Sequence, residues 1–265
     1  MVLLIYVGLV IIVFVGQRKY IYSPRYFTEE TELQLAKKDH FEPWRNRAGE
    51  LIGWERLAKN NTNHDQILVF HGNGGAATYR FPLGDEIQSA APFDIYILEY
   101  PGYGSRLGSP SESKIFKAAE EGVELLRDHP LYLVGESLGS GVASYIAGKY
   151  PALIRGIFLV APYDELLSVA KDRMPFFPVS LMLIDRFRSS FHLEKYHGPV
   201  AVILGGDDHI VPNRFGHHLY DKYQGPKKLW EIPGADHADL FDRTDAIPRW
   251  REIIDFWRAN AAKLN

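Results

Sequence analysis

The sequence predicts an α/β fold, a mostly parallel sheet with helices on both faces, and three observations predict it. Short runs rich in valine, isoleucine, leucine and aromatic residues alternate with stretches of helical character. Several of the runs end in clusters of glycine and polar residues, where open parallel sheets place their ligands, just past the carboxyl ends of the strands. A length of 265 residues suits one domain with a well-filled core. The strand-like runs are 51–57, 67–71, 94–98, 131–135, 156–160, 199–205 and 227–232; the helical stretches are 76–90, 112–128, 138–149, 213–223 and 246–261.

The chain starts with a separate segment. Residues 2 to 15 are all apolar or glycine and are followed by Gly16-Gln17-Arg18-Lys19. A cleavable signal should have a basic start and an A-x-A-like site, and neither is present. The run is short for a full span, but Tyr20, Ile21 and Tyr22 extend it, with Arg18 and Lys19 snorkelling. Residues 1–22 therefore read as an uncleaved membrane anchor; a buried helix of the domain is the competing reading. No Lys or Arg precedes the run, whereas Arg18, Lys19 and Arg25 follow it, which puts the remainder of the chain on the cytoplasmic side. Deleting residues 1–22 is expected to release a soluble, active domain.

Along the remaining chain, His71-Gly72-Asn73-Gly74-Gly75 follows the run 66–70, and glycines at such a point let backbone amides approach a ligand. Residues 101–112 contain G-x-G-x-x-x-G after the run 94–98. As a dinucleotide fingerprint that spacing is one residue too long, Pro110 interrupts the approach to the next helix, and Glu120 and Glu121 lie in a helical stretch instead of at a strand end. Gly135-Glu136-Ser137-Leu138-Gly139 directly follows Leu131-Tyr132-Leu133-Val134 and precedes a helical stretch. A serine between two such glycines sits on a strand-to-helix turn too tight for neighbouring side chains and is a nucleophile candidate.

A serine nucleophile needs a base and an orienting acid from later strands, in the order Ser, Asp, His. The run 200–204 ends in Gly205-Gly206-Asp207-Asp208-His209-Ile210-Val211-Pro212, and the run 228–232 ends in Pro233-Gly234-Ala235-Asp236-His237. His237 is the base and Asp208 or Asp207 the acid. His71 lies upstream of Ser137, so chain order makes it a structural residue.

In these ordered motifs the chain resembles the α/β-hydrolase superfamily from about residue 50 onward, as a serine hydrolase. The family's G-x-x-D-x-I/V-V-P at the acid runs here Gly205, Asp208, Ile210, Val211, Pro212, which implies Asp208. Asp164 is a lesser rival, because some members carry the acid after the preceding strand. The family's H-G oxyanion loop implies Asn73 and Leu138 as backbone donors. The loop 102–112 is similar to the family's G-Y-G-x-S-x-G-x-P-S-E, with Arg106 where serine is usual. The small membrane-anchored subgroup is similar in its Q-R-x-x-I-Y-x-P segment, here residues 17–24, and in the portion 178–187. The insertion of about 163–197 resembles a cap, so the catalytic domain reads as 23–265 with that cap inserted. Clustered Phe176, Phe177 and Met182 suggest an acyl pocket there.

Composition bounds the rest. A net charge of −3 without a basic cluster gives no reason to expect nucleic acid. The absence of cysteine excludes disulfides, thiol catalysis and thiolate metal sites. No H-E-x-x-H or similar ligand spacing is present, and His217-His218 reads as a surface pair, so no metal or organic cofactor is expected. The resemblance implies hydrolysis of a small acyl ester or thioester, lipid-derived or carried on an acylated protein. The alternatives are a membrane-tethered binding or scaffold protein on the same fold, and a peptidase or amidase.

Overall fold

The computed structural model describes residues 1–240 and 246–261. It begins with one uninterrupted helix, α1 (Val2–Ile21), which is 20 residues long and therefore about 30 Å, close to the thickness of a bilayer's hydrocarbon core. Length and composition together make it a candidate membrane span. Tyr22 leaves the helix in an extended conformation, and Ser23, standing before Pro24, is sterically biased the same way. Ser23 and Pro24 then pair in parallel with Gly74 and Gly75. A second helix, α2 (Glu29–Lys38), starts where the Thr28 side chain accepts the Thr31 N–H, with glutamates in its first turn and lysines in its last.

The main sheet contains β1 (Glu42–Arg45), β2 (Leu51–Arg56), β3 (Gln66–Phe70), β4 (Asp94–Leu98), β5 (Leu131–Glu136), β6 (Ile154–Val160), β7 (Val200–Gly205) and β8 (Lys227–Ile232). Their spatial order is β1-β2-β4-β3-β5-β6-β7-β8. The β1–β2 and β2–β4 pairs are antiparallel and the rest parallel. All seven anticipated runs are strands. The eighth, β1, escaped the sequence reading because Glu42-Pro43-Trp44-Arg45 has two charges and a proline. Proline is tolerated there because β1 is an edge strand.

Alternation along the central strands divides the core in two. Leu68, Phe70, Leu133 and Leu98 face α4 (Glu112–Leu126) and α5 (Leu138–Lys149), while Ile67, Val69, Val134 and Ile97 face α3 (Leu83–Ala90) and α10 (Ala246–Ala261). Every residue of β3, β5 and β7 is buried, as expected of parallel strands covered on both sides. α9 (Asn213–Lys222) follows the loop after β7.

Between β6 and β7 run three short helices, α6 (Leu166–Arg173), α7 (Val179–Met182) and α8 (Ser189–Leu193). α8 lies directly on α5, where a Cβ at Gly148 would collide with His192 O. α7 and its flanks meet α1. Gln17 Nε2 donates to Met182 O (3.2 Å), and Gln17 Oε1 accepts from Ile184 N (2.8 Å). Asp185 accepts from Arg18 Nε and Tyr22 Oη, both at 2.9 Å. These bonds tie the last turns of α1 to the segment between β6 and β7.

Candidate active site

Ser137 joins β5 to α5 with φ 49° and ψ −114°, a left-handed backbone that a non-glycine residue rarely adopts. Such strain persists only where the surroundings enforce it. Here Ser137 N donates to Val160 O (2.8 Å), and Ser140 donates to Ser137 O through both N and Oγ (2.9 and 2.6 Å). Glycine is required on both sides. A Cβ at Gly139 would collide with Phe70 O, and one at Gly135 would lie 2.5 Å from Gly139 O. The serine is thereby held above the carboxyl end of the sheet, at the floor of a cavity of about 390 Å³.

Leu138 is the first residue of α5, so its N–H is among those a helix leaves unpaired, and it lines the same cavity. Asn73, after β3, lines it as well. The Asn73 loop is pinned from several sides: its Nδ2 donates to Ile21 O (3.0 Å), and its carbonyl accepts from Ser23 N (3.0 Å) and Tyr103 Oη (2.8 Å). His71 beneath it is buried, with Nδ1 against Gly72 O (2.8 Å) and Nε2 against Glu99 Oε1 (3.1 Å). Both ring nitrogens are engaged inside the fold, which suits a structural residue. Glu136, beside the serine, pairs with the Arg80 guanidinium.

Asp208 and His237 meet although 29 residues separate them: Nδ1 lies 2.7 Å from Asp208 Oδ2. The other carboxylate oxygen accepts from Ile210 N (2.8 Å) and Val211 N (2.7 Å). One oxygen is thus tied to the turn and the other to the imidazole, which fixes the ring with Nδ1–H toward the carboxylate and Nε2 as the basic nitrogen. Ile210 and Val211 also line the serine's cavity. Asp236 Oδ1 accepts from His237 N (2.7 Å) and His209 N (3.2 Å), and these two bonds hold its carboxyl below the usual range. Asp207 is exposed. Asp164 is occupied elsewhere, its Oδ2 lying 2.9 Å from both His218 Nδ1 and Ser168 Oγ.

Of the expected pocket residues, Met182 lines the cavity. The two phenylalanines do not. Phe176 is 84% exposed, and Phe177 stacks on Tyr6 of α1 with ring centroids 6.4 Å apart. The apolar wall comes instead from Tyr163, Leu166, Val169 and Val179, together with Val13, Phe14 and Ile21 of α1. The α1 contribution was missed because an unbroken apolar run reads as a lipid-facing anchor. The signal that could have shown it is the polar pair Gln17-Arg18, one turn from the helix end, with Asp185 in the cap.

A family model described as the alpha/beta hydrolase fold matches residues 65–192. An uncharacterised protein of Mycobacterium tuberculosis is 30% identical over 211 residues, covering 76% of this chain and 74% of that protein. The chain belongs to the α/β-hydrolase superfamily. Protein bem46 of Schizosaccharomyces pombe is 30% identical over 187 residues, covering 65% of this chain and 61% of that protein. Among solved structures, the Pyrococcus furiosus esterase Pf2001 superposes with a TM-score of 0.66 over 91% of this hydrolase and 100% of that chain, at 16% identity. At that identity the likeness speaks for the fold.

Proposed function

We propose that this α/β hydrolase cleaves a carboxylic ester or thioester through a covalent acyl-enzyme. The observation that carries the reading is a serine on a strained elbow lining an apolar cavity, with a hydrogen-bonded Asp208–His237 pair on the loops that follow β7 and β8. Ser137 Oγ attacks the carbonyl while His237 Nε2 takes its proton, and Asp208 stabilises the resulting imidazolium. The N–H groups of Asn73 and Leu138 hydrogen-bond the oxyanion. His237 returns the proton to the departing alcohol or thiol, then activates the water that releases the acyl group.

A mostly apolar lining favours an acyl group, and α1 holds the enzyme at a membrane with the catalytic domain on the cytoplasmic side. A fluorophosphonate probe tests the chemistry. It should label the wild type and not Ser137→Ala, and the same substitution should abolish turnover of 4-nitrophenyl butyrate. Labelling that persists in the variant would overturn the assignment, and an unlabelled wild type would favour a binding protein on this fold.

A further inference from the structure

The cavity above Ser137 has a polar and an apolar end. Toward the Asp208 loop its rim carries Arg173, whose Nη2 donates to Ile210 O (2.9 Å). The cavity's apolar lining includes Val13 and Phe14, which belong to the apolar part of α1. Phe14 lines the cavity and is also 43% exposed, so it stands between the cavity and the outer face of α1. Phe14 lies seven residues before the end of α1, or about 10 Å along its axis. An opening there faces hydrocarbon when α1 is in a bilayer.

The cap follows α1 in the same direction. Tyr6 Oη donates to Phe176 O (2.9 Å), and Gln17 holds Met182 and Ile184, so cap and helix stay together over the stretch between Tyr6 and Gln17, about 16 Å. Along that stretch the cap residues Phe176, Leu181 and Ile184 are exposed, and so are the α1 residues Leu9 and Phe14. Cap and helix together therefore present exposed apolar side chains on the side where they are joined. The polar atoms of Gln17 are already paired, since its Nε2 also donates to Phe14 O (2.7 Å) and its Oε1 is taken by Ile184 N.

Resting on the hydrolase reading above, we infer that the cap co-inserts with α1 and that the two enclose an acyl groove opening sideways into the bilayer. A substrate's acyl chain then stays in hydrocarbon on its way to Ser137, passing Phe14. Its ester or thioester carbonyl arrives at the polar end. The occupant is the acyl chain of a membrane-resident substrate, and α1 is a specificity-determining wall as well as an anchor.

The test uses the full chain in phosphatidylcholine vesicles, with 4-nitrophenyl palmitate dissolved in the bilayer and 4-nitrophenyl butyrate in the water. Phe14→Trp, which narrows the opening, and Leu181→Asp, which opposes insertion of the cap, should each lower the palmitate-to-butyrate ratio of kcat/KM tenfold or more. An unchanged thermal unfolding midpoint certifies folding of each variant. A ratio unchanged in both variants overturns the inference. Because the chain has no cysteine, Leu181→Cys gives a unique site for an environment-sensitive fluorophore. Quenching by lipids carrying a nitroxide on the acyl chain is expected; quenching by aqueous iodide alone overturns co-insertion whatever the kinetics. Failure of the hydrolase reading looks different, since butyrate turnover would then be absent or survive Ser137→Ala.

Discussion

The floor of the cavity and its α1–cap wall are held by different forces. Around Ser137, backbone touches backbone: Gly139 lies against Phe70 O, Gly135 against Gly139 O, and the serine N–H is fixed to Val160 O. No side chain fits there, so the serine is positioned by backbone contacts with strands that are almost entirely buried. The wall is assembled from side chains on segments far apart in sequence, joined by the polar clamps of Gln17 and Asp185. Where backbone fills the space, position is rigid and the residue choice is forced. Where side chains meet across a gap, shape can vary without disturbing the chemistry. The floor should therefore govern rate, and the wall should govern which acyl group is accepted.

The largest effect expected is at the floor. Ser137→Ala should reduce the rate constant by about a millionfold for a fully coupled triad while leaving the thermal unfolding curve intact. Residual activity well above that level, measured on purified protein, would place the nucleophile elsewhere. Asp208→Asn comes next, at roughly 10⁴-fold, because the amide no longer enforces the tautomer of His237. Asp207→Asn should be mild, since its side chain is exposed. Equal losses at the two positions would show that the loop and not the carboxylate matters.

Removing residues 1–22 breaks the wall, takes Ile21 O away from Asn73 Nδ2, and leaves Ser23, which donates to Asn73 O, as a free chain end. Turnover of even a short soluble ester should then fall by roughly 10²-fold, the cost of an oxyanion donor misplaced by about 1 Å. Wild-type turnover by the truncated chain would mean that wall and floor are uncoupled after all. Gly139→Ala attacks the floor through stability, costing about 3 kcal/mol from overpacking against Phe70, read as a drop in the denaturation midpoint.

The smallest effect lies behind the floor. Glu32 is buried, and burial together with nearby Glu99 pushes its carboxyl up to about 7, although Ser105 donates to it. The folded state therefore binds a proton that the unfolded chain has lost between its ordinary value of 4.5 and about 7. The stability this contributes is present below 4.5 and is lost as pH rises through that window. Glu32→Gln should gain stability relative to wild type across the same window, as seen in paired urea titrations. A difference independent of pH would remove the carboxyl as its cause.

The sequence by itself determined the parallel sheet, through apolar runs that demand burial on both faces, and it put forward the candidate residues of the floor. Glycines that flank a serine after a strand leave few conformations open, so Ser137, the Asn73 loop, Asp208 and His237 were legible from local pattern and chain order. The edge strand β1 was not, because an edge position tolerates the proline and charges that disguise it. Nor could the sequence choose between Asp207 and Asp208 on residue chemistry alone. In the structure the turn directs the Ile210 and Val211 amides to one oxygen of Asp208 and leaves the other to His237. The acyl wall was decided entirely in three dimensions. An apolar helix has no local feature that distinguishes a face turned to lipid from one turned to a cavity, and only the cap's contacts with Gln17 and Arg18 fix which face of α1 looks toward Ser137.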